Sequence, residues 1–327
     1  MKNFKKLSVF MFIFSFSLYL VACGNTDKNH TETEQIVVEE ESVGKIIDRQ
    51  GNEIDLPKKS EKIVSLVPSI TETLIDLGLK DKIVAVDKYS ANLEGIKSDI
   101  AVFDMAKPDM ESLVALQPDI LLDGITVTEG SSEPYAPLIE IGTFTSSIPT
   151  STSIQGIIDD ILFLGEITNT QGRAKEIVKS YKDEISNVVK KVDDYDKNVK
   201  KESKTKVYFE ISPVPDAFTF GKNTFLNEML DILKVENVFA DLDGWASVSE
   251  EKILEKNPDV IFTNSGYLEN PAELIKKRAG WNVIEAVKNN RVYYIDENSS
   301  SRPNENTIKA FKEMAKALYP EIKFDNE

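Results

Sequence analysis

One stretch of this chain occurs twice. Glu111-Ser-Leu-Val-Ala-Leu-Gln-Pro118-Asp119-Ile-Leu-Leu is echoed by Glu251-Lys-Ile-Leu-Glu-Lys-Asn-Pro258-Asp259-Val-Ile-Phe, at an offset of 140 throughout. Each copy reads as a glutamate opening a short helix, a Pro-Asp turn, and an apolar strand. A supersecondary unit recurring at a fixed offset marks duplicated architecture. The chain is therefore expected to fold as two like lobes, and its 327 residues are roughly twice a typical domain.

The rest of the body supports α/β units. Lys45 to Leu56 reads as a hairpin turning near Gln50-Gly51-Asn52, with Ile47 and Ile54 on its apolar face. Ile63 to Val67 is a short buried strand; Ser69-Ile-Thr-Glu72 then has capping-box spacing, and that helix ends at Gly78. Strands are expected at 83–86, 120–122, 207–211, 260–262 and 292–295, with helices at 110–116, 223–233 and 308–318 between or after them. Strands alternating with helices at this pitch imply mostly parallel sheets. From Ile154 to Val192 the apolar residues fall at helical spacing, interrupted near Thr168-Asn169-Thr170. That span is either two consecutive helices or one long element joining the lobes.

The amino-terminal segment sets the compartment. Lys2, Lys5 and Lys6 precede an apolar run from Leu7 to Ala22, the form of a secretory signal peptide and too short to span a membrane comfortably. The run ends in Leu20-Val-Ala-Cys23-Gly24, which resembles the bacterial lipoprotein processing box. That resemblance implies a signal peptide over 1–22, diacylglyceryl transfer to Cys23, and anchoring to the extracytoplasmic face of the cell membrane. Two acyl chains suffice for stable anchoring. Residues 23–44 read as a polar, acidic tether. The formal net charge of −16 and the lack of a dense Lys/Arg block argue against a nucleic-acid partner.

Cys23 is the only cysteine, and His30, in the tether, is the only histidine. The body therefore holds no disulfide, no His- or Cys-based triad and no imidazole or thiolate metal site. An enzyme on this scaffold would have to work with carboxylates alone, such as Glu72, Asp104, Glu210 and Asp216. A non-enzymatic role is the expectation.

Five segments now carry a family resemblance: VSLVPSITETL, PDMESLVALQPDILL, FTFGKNTFLNEMLDILKVENVFAD, GWASVSEEKILEKNPDVIF and SSRPNENTIKAFKEMAKALYP. In this order, over about residues 45–322, they resemble the iron-complex/vitamin B12 family of substrate-binding proteins of ABC importers. The resemblance implies an α/β fold of two lobes (45–150 and 204–322), bridged by a single long helix at 154–192, with the ligand in the cleft between. It also implies a monomer that delivers a small-molecule chelate to a permease dimer driven by cytoplasmic ATPases. Glu111 and Glu251 then correspond to the pair that engages permease arginines, with Glu250 able to share the role; otherwise the two are solvated helix caps.

Ligands of open α/β sheets bind beyond the carboxyl ends of the strands. That rule points to 67–69, 87–90, 103–105 and 124–126 on the first lobe, and to 212–220, Trp245, 264–267 and Arg302 on the second. Tyr89 and Trp245 match family positions that set aromatic rings against corrinoids or chelates. Tyr89, Phe218, Phe220 and Trp245 could wall a corrinoid. Arg302 could pair with an anionic ligand group, or form a lobe-internal salt bridge. Haem would need an axial group from Met105, Tyr89 or Tyr267. No resident cofactor or metal is expected. Ferric siderophore and cobalamin both stay open as ligands, beside a haem receptor or a surface lipoprotein without a transport role.

Overall fold

The computed structural model describes residues 44–124, 135–199 and 203–324. The signal segment, Cys23, His30, the tether, and Ile125 and Thr126 of the first-lobe edge lie outside the described residues. Strands β1 (Lys45–Ile47) and β2 (Glu53–Asp55) form the expected hairpin. Ile46 rather than Ile47 pairs with Ile54, and Ile47 stands exposed. Adjacent strand residues face opposite ways, so a one-residue offset exchanges the faces.

The first lobe is built on β3 (Ile63–Ser65), α1 (Pro68–Asp76), β4 (Ile83–Asp87), β5 (Ala101–Phe103), α2 (Met110–Leu116), β6 (Ile120–Asp123), α3 (Ala136–Glu140) and β7 (Phe144–Ser147). The five strands lie parallel in the order β5-β4-β3-β6-β7. Its centre, Ile63, Val64, Leu121 and Leu122, is fully buried, as parallel strands covered on both faces require. Pro68 occupies the first turn of α1, behind Val67 as the cap residue, so Ser69 already lies inside the helix and caps nothing. Glu72, released from the expected capping box, is free to turn elsewhere. Gly78 follows the helix at φ +84°, where glycine avoids the left-handed penalty.

The span 154–192 is divided between two helices, α4 (Ile154–Ile167) and α5 (Gln171–Asn198). The break is a Schellman turn: Thr170 N–H donates to the Gly165 carbonyl at 2.7 Å and Asn169 N–H to that of Glu166 at 3.3 Å. Asn169 adopts φ +56°, a conformation asparagine tolerates. The two helices touch so closely here that a Cβ on Gly165 would stand 2.5 Å from that of Ala174. The bridge is α5, whose Arg173 Nε donates to the Asp76 carbonyl at the end of α1 (3.0 Å). Farther along, its Tyr181 hydroxyl meets Thr307 at 2.8 Å, and Asp193 pairs with Lys234 in the second lobe.

That lobe carries β8 (Lys206–Glu210), β9 (Phe218–Phe220), α6 (Phe225–Ile232), β10 (Glu236–Asn237), β11 (Trp245–Ser247), α7 (Glu250–Lys256), β12 (Val260–Thr263), α8 (Pro271–Lys276), α9 (Glu285–Lys288), β13 (Val292–Tyr294), α10 (Glu297–Ser301) and α11 (Thr307–Leu318). Its parallel sheet has the order β10-β8-β12-β13, while β9 and β11 form a separate antiparallel pair. The closing helix α11 buries Ala310, Phe311, Met314 and Leu318 along one face.

The duplicated stretch has the same structure in both lobes. Residues 111–120 and 251–260 follow one order of burial and exposure, position by position. Asp109 and Ser249, also 140 apart, cap α2 and α7 by accepting from Ser112 N–H (2.9 Å) and Lys252 N–H (3.3 Å). Gln117 and Asn257 close the helices in the left-handed conformation. The Asp119 carboxylate then accepts the Glu61 and Lys62 N–H groups ahead of β3, and the Asp259 carboxylate accepts Lys206 N–H at the start of β8. Each aspartate therefore ties a strand entry to its neighbour. Asp119→Ala and Asp259→Ala should both destabilise the protein in urea unfolding, by about 1 kcal/mol or more, with Asp119 costing the more because it accepts two donors.

Candidate functional site

Each sheet reverses its strand order once, between β3 and β6 in the first lobe and between β8 and β12 in the second. At such a switch point the connections leave in opposite directions and open a crevice beyond the carboxyl ends. In the first lobe Val67 and Gly124 flank it, so close that a Cβ on Gly124 would meet Val67 at 3.3 Å. In the second lobe the Ser265 hydroxyl donates to the Ile211 carbonyl at 3.0 Å, and Asn264 Nδ2 donates to the Ser300 hydroxyl at 3.0 Å. A cavity of about 170 Å³ joins the two sides; Val67, Ser69 and Thr73 line it from the first lobe, Ile157 and Ile161 from α4, and Arg302 and Asn304 from the second.

Polar contacts across this junction hold the lobes together. Arg302 pairs with Glu72 of α1, both largely buried. Asn304 Nδ2 donates to the Glu72 carboxylate at 2.5 Å and to the Ser69 carbonyl at 3.3 Å. The Thr73 hydroxyl donates to Glu305 Oε2 at 2.9 Å, while the buried Glu305 Oε1 has no hydrogen-bond partner among the described residues. Burial, reinforced by the Asp76 carboxylate, pushes the Glu305 carboxyl up to about 8. Arg302 is thus engaged by a carboxylate, and the salt bridge runs between lobes rather than within one. Asp160, also on the cavity wall, is raised by burial although Ser151 donates to it and Arg49 pairs with it.

The other predicted residues divide by exposure. Trp245 is 41% exposed; its ring meets Phe220 and Phe225 edge-on, at centroid distances of 5.9 and 6.2 Å. Trp245 pairs with Phe220, and Ser247 with Phe218, across the β9–β11 ladder, which packs beside the carboxyl half of β8. Phe220 is fully buried and supports the indole from behind; Phe218 is half-buried. Tyr89 is 58% exposed, with Lys88 Nζ 5.0 Å above its ring. Its turn is fixed by the buried Asp87 carboxylate, which accepts Tyr89 N–H at 2.7 Å and the Ser90 hydroxyl. Tyr267 is 67% exposed and Met105 half-buried, each just beyond a strand end. The structure brings Trp245, Phe220 and Phe218 into one two-stranded antiparallel ladder, and leaves Tyr89 and Met105 on the opposite lobe.

The carboxylates considered for catalysis are occupied or dispersed. Glu72 serves Arg302, and Glu210 forms a bidentate pair with Arg278 at 2.7 and 2.9 Å. Asp104 and Asp216 are exposed. Among the described residues no group of acidic side chains is arranged to hold a metal ion, and no helix is long and apolar enough to cross a membrane. Sequence reasoning missed Asn304, Glu305 and Thr73. The segment Arg302-Pro-Asn-Glu305 was the available signal: a polar run with a proline, between the last sheet strand and the closing helix.

Glu111 and Glu251 are exposed on the first turns of α2 and α7, and neither has a hydrogen-bond or ion-pair partner among the described residues. Each helix runs antiparallel to the strand that follows it, so both glutamates stand at the carboxyl edge of their own sheet.

Two parallel-sheet lobes, a helical bridge and a crevice at paired switch points are suited to holding a ligand between the lobes. The chain belongs to the periplasmic binding protein family, whose model matches residues 63–299. It is 31% identical to the uncharacterized ABC transporter substrate-binding lipoprotein YvrC of Bacillus subtilis, over 97% of this chain and 98% of that one. The Vitamin B12-binding protein of Vibrio parahaemolyticus is 24% identical, over 78% of this chain and 88% of its own. A solved structure of a possible iron-binding (periplasmic solute-binding) protein from Staphylococcus epidermidis is 32% identical, with a TM-score of 0.68 over 80% of this chain and 100% of that one.

The junction gives two expected outcomes. Arg302→Ala should destabilise the protein by about 2 kcal/mol in chemical unfolding, because it strands the Glu72 carboxylate. A carboxyl raised in the folded state adds stability that is complete below its ordinary value of 4.5 and is lost as pH rises through about 8. Wild-type Tm should therefore fall between those limits, and Glu305→Gln should flatten that decline. An unchanged pH profile in the variant would show that Glu305 titrates normally.

Proposed function

We propose that this chain is an extracytoplasmic, lipid-anchored binding protein, held at Cys23, that captures a corrinoid and delivers it to an ABC permease. The observation that carries the ligand class is the state of the junction arginine. Arg302 is already neutralised by Glu72 and fenced by Asn304, so a trianionic catecholate finds no uncommitted guanidinium there. What the edge offers instead is aromatic surface: the exposed Trp245 indole, backed by two rings, with Tyr89 and Tyr267. A large macrocycle needs broad apolar walls and scattered polar contacts. The relative that binds vitamin B12 supports the same reading.

A ferric siderophore is the second reading. Lys88 beside Tyr89 places one ammonium at the first-lobe edge, and the Staphylococcus epidermidis neighbour is described as possibly iron-binding. Haem is disfavoured because the body contains no histidine.

Delivery requires docking, which we assign to Glu111 and Glu251 against permease arginines. Rim charges of this kind act with modest strength and are screened by salt. The double change Glu111→Ala with Glu251→Ala should abolish cellular uptake while leaving ligand affinity intact.

Titration calorimetry with cyanocobalamin and a ferric catecholate tests the ligand reading. Cyanocobalamin should bind, and Trp245→Ala should weaken it by about 2 kcal/mol, the scale of a truncated aromatic anchor. Binding of the catecholate alone, lost in Lys88→Ala, would replace the corrinoid with the siderophore.

A further inference from the structure

We infer that Glu250 is a positioning residue that fixes the second-lobe docking corner, and that Glu251 alone carries the docking charge there. This rests on the docking role proposed above. The two glutamates are neighbours on the first turn of α7, but their surroundings differ. Glu250 Oε1 accepts the Trp281 indole N–H at 2.7 Å, and Trp281 is fully buried. Indole nitrogen is only a donor, so this acceptor has no substitute within the pair. The Arg278 guanidinium lies 4.1 Å from the centroid of the same ring. Arg278 then grips Glu210, the last residue of β8, through both carboxylate oxygens.

Carboxylate, indole, guanidinium and carboxylate thus form one unbroken chain from the start of α7 to the carboxyl end of the central strand. Glu251 takes no part in it. The first lobe lacks the device: the residue 140 places before Glu250 is Met110, half-buried against the apolar cluster of Leu113 and Leu138, and Glu111 is the one acidic residue in that first turn. Both corners therefore present a single uncommitted carboxylate, held by apolar packing on one lobe and by the Glu250–Trp281 bond on the other.

The test uses the full-length protein and the permease–ATPase complex of the importer it serves, purified from the same cells and reconstituted together. ATPase activity is titrated with the binding protein at several salt concentrations, giving a half-saturating concentration and its salt dependence. Glu251→Gln should raise the half-saturating concentration about threefold and weaken its salt dependence, as the loss of one rim charge does. Glu250→Gln keeps an oxygen for the indole and should match wild type in both. Glu250→Ala should raise the half-saturating concentration with its salt dependence unchanged, and should alter the near-ultraviolet circular dichroism of Trp281. A Glu250→Gln that weakens the salt dependence as Glu251→Gln does overturns the inference, since Glu250 is then a docking charge itself. A Glu250→Ala that docks like wild type overturns it too. If Glu251→Gln changes nothing, the docking role itself fails and this inference falls with it.

Discussion

The contact between helix α1 and the turn 302–305 decides how the two lobes face each other. Helix α5 alone would leave them joined by a rod, with rotation about its ends unresisted. The Glu72–Arg302 pair, the Asn304 amide and the Thr73–Glu305 hydrogen bond lie to one side of that rod and oppose rotation. Their geometry depends on Pro68. By starting α1 one residue before the expected cap, it turns Glu72 from a helix-capping group into a partner for the other lobe. A local backbone rule therefore sets a long-range contact.

The same contact shapes the chemistry of the cleft. Charges at the junction are spent on one another, and the surfaces left uncommitted at the strand ends are mainly rings. Rigid backing makes these rings useful: the Trp245 indole is held by Phe220 and Phe225, and the Tyr89 turn by the buried Asp87 carboxylate. A binding protein gains affinity when its contact groups need little ordering on association. Fully buried Phe220 contributes in that way, through the residue in front of it.

Much of the framework was legible in the sequence because it obeys local rules. The copies at 111 and 251, the strands after each Pro-Asp, helix Met110–Leu116 and the glycine stop at 78 follow from turn chemistry and hydrophobic period alone. The short strands β5, β9 and β11 were not legible, since three residues each carry no clear period and their pairing is tertiary. The parity of the first hairpin failed for a related reason: its register is set by the turn, not by which isoleucine is more conspicuous. At the site, the aromatic residues were found by place, just beyond strand ends. The engagement of Arg302 was hidden because its partner lies 230 residues away.

Gly165 acts as a spacer one hydrogen atom thick. Any other side chain would insert a methyl group between α4 and the start of α5, where Ala174 leaves no room. Helix α4 carries Ile157 and Ile161 on the cavity wall, and its first N–H rests on Glu228 of the second lobe at 2.7 Å. Tightly packed helices shift as bodies rather than compress. A single carbon at Gly165 would therefore press α4 away from the start of α5, and with it the part of the cavity wall that Ile157 and Ile161 form.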